Sequence, residues 1–448
     1  TAQPPATLPA PQELETRVRV ALERAGAFGA SAAEASVSAS RGLSVSVRKG
    51  EVESLEFQHD REMGVTVYFG QRKGNATTGD LSDAGIAGAV RAACDIAQAT
   101  GEDPCNGLAD PARMARNFPE LDLDHPWALS PEHAIELAQR CEAAAFAVDA
   151  RVTQSEGASI SSHRGVSVYA NSHGFTGHRQ GTQHSLSCAV VAGSGDGMQR
   201  DYWYSSARRH ADLLDGELIG RRAGERAVAR LDARKLSTRQ APVLFPPELA
   251  RGFWGHFIGA ISGGALYRKA SFLLDKLGQP VFSPRVTLQQ RPFIGAGAAS
   301  AAWDGEGVAT EERTLVEDGV LQGWLLGSYS ARKLGLQSTG NAGGVYNLVV
   351  KPGDKDFDAL VRDMHEGLIV TELLGHGVNG VTGDYSRGAA GFWVENGAIA
   401  YPVEELTIAG NLVDMYLDVA AIGSDVDTLA GTRTGSVLIG RMTLAGGS

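Results

Sequence analysis

Arg41-Gly42-Leu43-Ser44-Val45 returns further along the chain as Arg164-Gly165-Val166-Ser167-Val168, alike at four of five positions. Around the first copy Leu43, Val45 and Val47 alternate, as do Val65, Val67 and Phe69, which is the period-two pattern of half-buried strands. Ahead of them Leu14, Val18, Ala21, Leu22 and Ala25 recur at helical spacing. Behind them Ser82 stands as an N-cap before Ile86, Ala89, Val90, Ala93 and Ile96, in a helix that should stop near Gly101. The second copy has the same order: a helix from about Pro131 with Ile135, Leu137, Ala138 and Cys141, strands around Val166, Val168 and Leu186 to Val191, and a helix from about Leu218 to Leu231. The chain therefore reads as an α-meander-α unit used twice.

From about Ala241 the pattern changes to short strands and hairpins. Asp318-Gly319 lies between Arg313 to Glu317 and Val320 to Leu326, and Asn396-Gly397 lies between Gly391 to Glu395 and Ala398 to Tyr401. Such pairs supply the positive φ of a two-residue turn. Helices are expected from Pro247 to about Ile261 and from Ser328 to Leu334, the latter stopped by Gly335. The predicted class is α+β, with a flexible tail over 1–11. An N-terminal α+β domain follows over 12–235, with its units at about 12–110 and 131–235. A β-rich C-terminal domain over 236–448 should form an antiparallel sandwich or barrel with a few helices.

The 448 residues, 43% hydrophobic, suffice for two to three domains. Charge sums to 41 − 52 = −11, a field that repels phosphate, so direct nucleic-acid binding is not expected. The 56 glycines argue for tight turns and close backbone approaches. Cys94, Cys105, Cys141 and Cys188 form no CxxC pair, so neither a disulfide framework nor a thiolate cage is indicated. Without a long apolar run or a leader-like start, no membrane attachment is expected and a reducing cytoplasm fits best.

Catalytic motifs are scarce. His365-Glu366 is the one His-Glu pair, and no second histidine stands a helical turn later, so it reads as a solvent-facing helix end. His163, His173, His178, His184 and Cys188 are concentrated in one stretch but straddle glycines without ligand spacing, and polar strand positions are the reading we adopt. A metalloenzyme built on that stretch remains a competing idea. No serine has glycine at both −2 and +2. Gly295-Ala296-Gly297-Ala298-Ala299-Ser300 lacks the last glycine and the helix of a dinucleotide loop. Asp304 and Glu306 in their Gly-rich loop read as turn formers. The protein has an enzyme's size without an enzyme's catalytic set.

Several long segments resemble the TldD/PmbA family, in its TldE (PmbA) branch. In the first half these are Arg48-Lys49-Gly50-Glu51-Val52-Glu53, Gly64-Val65-Thr66-Val67-Tyr68, Lys73-Gly74-Asn75-Ala76 and Tyr169-Ala170-Asn171-Ser172-His173-Gly174. In the second half they are Gly264-Ala265-Leu266-Tyr267-Arg268-Lys269, Asp304-Gly305-Glu306-Gly307-Val308, Tyr329-Ser330-Ala331-Arg332-Lys333-Leu334-Gly335, and the run from Gly383-Asp384-Tyr385-Ser386-Arg387-Gly388 to Gly410-Asn411.

The resemblance implies a dimer whose TldD-type subunit binds zinc through a His-Glu-x-x-x-His helix and a late cysteine. It also implies proteolysis of unfolded or small polypeptides, including microcin maturation and antitoxin degradation, and an older link to DNA gyrase. Here the corresponding helix reads Phe253-Trp254-Gly255-His256-Phe257-Ile258-Gly259-Ala260, and the late strand Thr434-Gly435-Ser436-Val437-Leu438 has no cysteine. No catalytic residue, metal ligand or cofactor is therefore assigned to this chain, and zinc is expected in the partner. His256 is read as packing or hydrogen-bonding at a helix surface. His256, Arg268, Lys269, Asp304, Glu306, Asp384 and Arg387 are the candidates for a peptide groove or subunit interface. The expected partners are a TldD-like zinc-bearing subunit, or a second copy when alone, and an unfolded polypeptide. The alternative is a stand-alone regulatory homodimer of the gyrase-modulator type, without hydrolysis.

Overall fold

The computed structural model describes residues 7–446, so residues 1–6 of the expected tail lie outside it. Helix α1 (Pro11–Ala27) buries Leu14, Val18, Ala21 and Ala25, the stripe its spacing announces. Strands β1 (Ala32–Arg48), β2 (Glu51–Phe69) and β3 (Arg72–Thr78) form a meander, and α2 (Asp83–Ala99) follows with Ser82 Oγ accepting the Gly85 N–H. The second unit repeats the order: α3 (Pro131–Phe146), β4 (Val152–Asn171), β5 (Thr176–Ala192), β6 (Gln199–Ala207) and α4 (Gly216–Ala229).

The two meanders merge into one six-stranded sheet, ordered β3-β2-β1-β4-β5-β6. At its centre Arg41 lies directly opposite Arg164, with Ser40 opposite Gly165 and Gly42 opposite His163. The two echoing segments thus cross at their arginines, and the internal two-fold axis of the duplication runs between them. Odd-numbered residues of β1 face both helix pairs: Ala33 to Ala39 join the α1–α2 core, and Leu43 to Val47 join the α3–α4 core. All four helices therefore cover one face, and the other carries Ser36, Ser38, Ser40, Ser44 and Ser46. The α3–α4 approach depends on Gly220, where a Cβ would meet the Cys141 carbonyl oxygen at 1.8 Å.

The second half begins with β7 (Arg239–Phe245), α5 (Pro247–Ala260) and α6 (Gly263–Tyr267). There follow β8 (Leu288–Gln290), β9 (Arg313–Glu317), β10 (Val320–Leu321), α7 (Ser328–Leu334), β11 (Leu348–Val350) and α8 (Phe357–Met364). The protein ends with β12 (Gly367–Leu374), β13 (Asp384–Glu395), β14 (Ala398–Asn411), α9 (Leu412–Leu417), β15 (Val419–Ile422), β16 (Thr432–Arg433) and β17 (Val437–Gly446). The order β14-β13-β12-β7-β17 closes because β14 also pairs with β17, giving a five-strand barrel to which β15 adds. A smaller sheet, β10-β9-β8-β11-β16, stands beside it.

The architecture is the α+β arrangement expected, with one difference in strand direction. Two pairs, β7 with β12 and β11 with β16, are parallel. A parallel neighbour needs a long crossover, and the segment between β7 and β12 supplies one. Among the described residues, no helix is long and apolar enough to cross a membrane.

The sheet and the barrel body meet along two seams. In one, Trp303 packs on Phe175 and Tyr169 with Arg179 over its ring at 3.6 Å. Nearby, Arg332 on α7 donates to the Cys105 and Gly107 carbonyls at 3.1 and 3.0 Å. In the other, Asp201 on β6 holds Arg226 and Arg230, which reach Glu248 and Glu372.

Candidate functional site

Helix α5 starts with Pro247, whose fixed φ suits a first turn. Its apolar stripe, Ala250, Phe253, Trp254, Phe257 and Ala260, is buried. Phe253 and Phe257 pack edge-on against Tyr416 and Phe282 at 5.0 Å, and the Trp254 indole donates to the Thr434 hydroxyl at 2.9 Å. Thr434, at the start of the late segment, is thereby tied to α5. The opposite face is nearly bare: a Cβ added at Gly252, Gly255 or Gly259 would meet nothing within 4 Å. His256 flanks that face, half-buried and edge-on to Tyr385 with ring centroids 6.0 Å apart.

His256 lines a cavity of about 440 Å³ together with Arg387 of β13 and His376 of the β12–β13 loop. Burial, and then the Arg387 charge, hold the imidazole below the usual histidine range. His256 is therefore neutral near pH 7. Among the described residues Arg387 makes one hydrogen bond, from Nε to the Leu374 carbonyl at 3.4 Å. His376 escaped the sequence reading because only the flanking Gly375 and Gly377 mark it, and nothing relates it by period to His256.

The zinc that the family resemblance implies does not fit this set. A catalytic zinc takes three protein donors, commonly histidine and carboxylate, whereas His256 has the Arg387 cation beside it and no Asp or Glu lines the cavity. Among the described residues no group of three or more His, Cys, Asp or Glu is arranged to hold a metal.

The other candidates are placed apart. Asp384 is three residues from Arg387 and so on the opposite face of β13, where Thr382 and Asn411 donate to it at 2.7 and 3.1 Å. Arg268 and Lys269 are exposed beyond α6, Arg268 lying over the Tyr267 ring at 5.3 Å. Glu306 lines a second cavity of about 350 Å³ on the other side of the α5–α6 corner and accepts the Ser328 N–H at the start of α7. Asp304 is buried and accepts the N–H groups of Glu306, Val308 and Ala342 at 2.9 to 3.0 Å. It is the turn former its Gly-rich context suggested.

The histidine-rich stretch is structural in its contacts. Both His184 nitrogens are engaged, with Ser162 Oγ at 3.0 Å and the His125 carbonyl at 2.9 Å, and Trp127 packs edge-on against the ring. Cys188 is buried in the α3–α4 core. His365 caps the C-terminus of α8 in an exposed position.

Three domain profiles of one family match the chain: PmbA/TldA metallopeptidase domain 1 over residues 33–97, its central domain over 124–231 and its C-terminal domain over 238–446. Metalloprotease PmbA of Escherichia coli O157:H7 is 49% identical over 97% of this chain and 96% of that protein. Haemophilus influenzae has a metalloprotease PmbA homolog, 47% identical over 97% of this chain and 96% of its own length. The same organism has a metalloprotease TldD homolog, 24% identical over 83% and 81%. A candidate modulator of DNA gyrase from Bacteroides thetaiotaomicron superposes with a TM-score of 0.92 at 29% identity, over 97% of this chain and 99% of that one. TldE of Thermococcus kodakarensis shares the fold, with a TM-score of 0.84 at 21% identity over 98% and 100%.

Proposed function

The chain belongs to the PmbA/TldE family of metallopeptidases, and from that premise we propose that it is the subunit without metal ligands in a cytoplasmic two-subunit peptidase. A TldD-type partner supplies the zinc, and the pair cleaves unfolded or small polypeptides. What supports this reading is the state of α5, the helix that the resemblance sets against the zinc-binding one: it carries glycines and His256 beside Arg387, with no carboxylate in the cavity they line. That one organism holds both a PmbA homolog and a TldD homolog gives the reading its partner. The bare face of α5 and the cavities on either side of the α5–α6 corner suit an extended polypeptide, which needs backbone access more than bulky side chains.

Elemental analysis and a casein-cleavage assay test it, on the isolated protein and after mixing with a TldD-type subunit. The expected result is no stoichiometric zinc and no cleavage alone, with chelator-sensitive cleavage in the mixture. Near-equimolar zinc with proteolysis by the isolated protein overturns the reading. A second reading, a regulatory homodimer without hydrolysis, draws on the name of the Bacteroides neighbour. It is favoured if the mixture neither assembles nor cleaves.

A further inference from the structure

We propose that the cavity beside His256 is a carboxylate pocket, in which Arg387, His256 and His376 hold a carboxylate of the bound peptide. The inference rests on the reading of this protein as a peptide-handling subunit and adds the group by which the peptide is held.

Three nitrogen-bearing side chains arrive from three separate elements, α5, β13 and the β12–β13 loop, on one cavity without an Asp or Glu in its lining. That is unusual in a molecule whose net charge is −11. Some half-buried arginines find carboxylates, as Arg164 does with Asp124 at 2.6 Å and Arg230 with Glu372 at 2.6 Å, and others, such as Arg208 and Arg332, are satisfied by two or more backbone carbonyls. Arg387 instead faces two imidazoles, and its single hydrogen bond leaves the outer edge of its guanidinium fork for another acceptor. The His256 ring makes no hydrogen bond among the described residues and rests edge-on against Tyr385. Arg387 is half-buried and has no carboxylate partner among the described residues, so an anion would complete the set, and the planar fork of arginine matches a carboxylate with two parallel bonds.

The floor allows the approach. At Gly255, Gly259 and Gly380 an added Cβ would meet nothing within 4 Å, so a ligand can come up to the backbone. A volume of about 440 Å³ holds one or two residues of a peptide. Asp384 does not compete for the arginine, because it lies on the far face of β13 and is held by Thr382 and Asn411.

The carboxylate can be the peptide's own C-terminus or an Asp or Glu side chain within it, and the test separates the two. Three eight-residue peptides of Gly, Ala and Ser carry an N-terminal rhodamine: one a free acid, one a C-terminal amide, one an amide with an internal Glu. Their binding to the full-length protein is followed by anisotropy. The free acid should bind about tenfold or more tighter than the plain amide, the scale of a charge-assisted pair. In Arg387→Gln, checked by an unchanged melting profile, that preference should vanish, and Arg387→Lys should keep part of it. Tight binding of the Glu-bearing amide assigns the pocket to acidic side chains, and weak binding assigns it to the C-terminus. Equal binding of all three peptides, no binding of any of them, or a preference for a carboxylate-bearing peptide that survives Arg387→Gln overturns the proposal. The subunit reading is tested separately, by partner-dependent cleavage, and stands or falls without this result.

Discussion

Asp304 and Asp103 are both aspartates in loops, yet burial drives their acidities apart. Burial pushes the Asp304 carboxyl up to about 6 against the pull of its three N–H donors. On Asp103 the Cys105 N–H and then the Tyr329 hydroxyl bring the value down to about 2. For Asp304 the folded value lies above the unfolded one, so its stabilisation is complete below about pH 4 and is lost as pH rises to about 6, roughly 2 to 3 kcal/mol in all. Glu34, raised by its own burial, adds to that fall. Asp103 runs the other way, its contribution present above about pH 4 and lost toward pH 2. Urea unfolding followed against pH should therefore show stability rising from pH 2 to 4, and between 4 and 6 a fall from Asp304 and Glu34 set against a rise from His184 and His256, whose imidazoles burial holds low. Asp304→Asn should shrink the upper fall and leave the lower rise; an unchanged upper fall would place the titrating group elsewhere. At this scale the sequence was legible where chemistry is local, as in the Asp-Gly-Glu-Gly turn. It was silent on the Arg387, His256 and His376 pocket, because no periodicity links residues that only the barrel brings together.

The hairpins show what elements disclose. Asp318 and Gly319 have φ of 45° and 85°, and Asn396 and Gly397 have 52° and 74°, the left-handed pair a two-residue turn demands. A Cβ at Gly319 would lie 2.4 Å from the Phe282 carbonyl oxygen, and one at Gly397 would lie 2.8 Å from that of Arg362. Gly319→Val and Gly397→Val should each cost from about one to several kcal/mol, through strained φ and these contacts. Denaturant midpoints measure this, and unshifted midpoints in both would show that the turns tolerate a side chain. Strands with a buried face were readable from alternation, as β1 was. The outer half of β2, Glu51 to Glu62, is wet on both faces and so leaves no period-two trace. The direction of the β7–β12 pair was hidden as well, since parallel and antiparallel neighbours can bury the same apolar residues.

For the whole molecule, the Arg-Gly echo was the most informative signal, because a duplicated strand that pairs with its own copy must place the two-fold axis at that pairing. The joint between sheet and barrel was not readable, since it is made by long-range charge pairs without local pattern. Asp201 is its hub: nearly buried on β6, it accepts from Arg226 at 2.9 Å and lies 3.5 Å from Arg230. The first arginine continues to Glu248 on α5 at 3.5 Å, and the second to Glu372 on β12 at 2.6 Å. Removing the hub charge leaves two guanidinium groups, one of them 12% exposed, with a single acid each. Breaking a buried set in this way costs roughly 3 to 5 kcal/mol, more than the pairing contributes against an apolar replacement, because the desolvated partners remain charged. The loss falls on the joint and not on either core, so Asp201→Asn should loosen the coupling between sheet and barrel before either unfolds. In calorimetry the variant should show a broadened or split transition where the parent shows one, with the first component moved to lower temperature. A single transition at the parental temperature would mean that the aromatic seam at Trp303 and the Arg332 contacts alone hold the two bodies together.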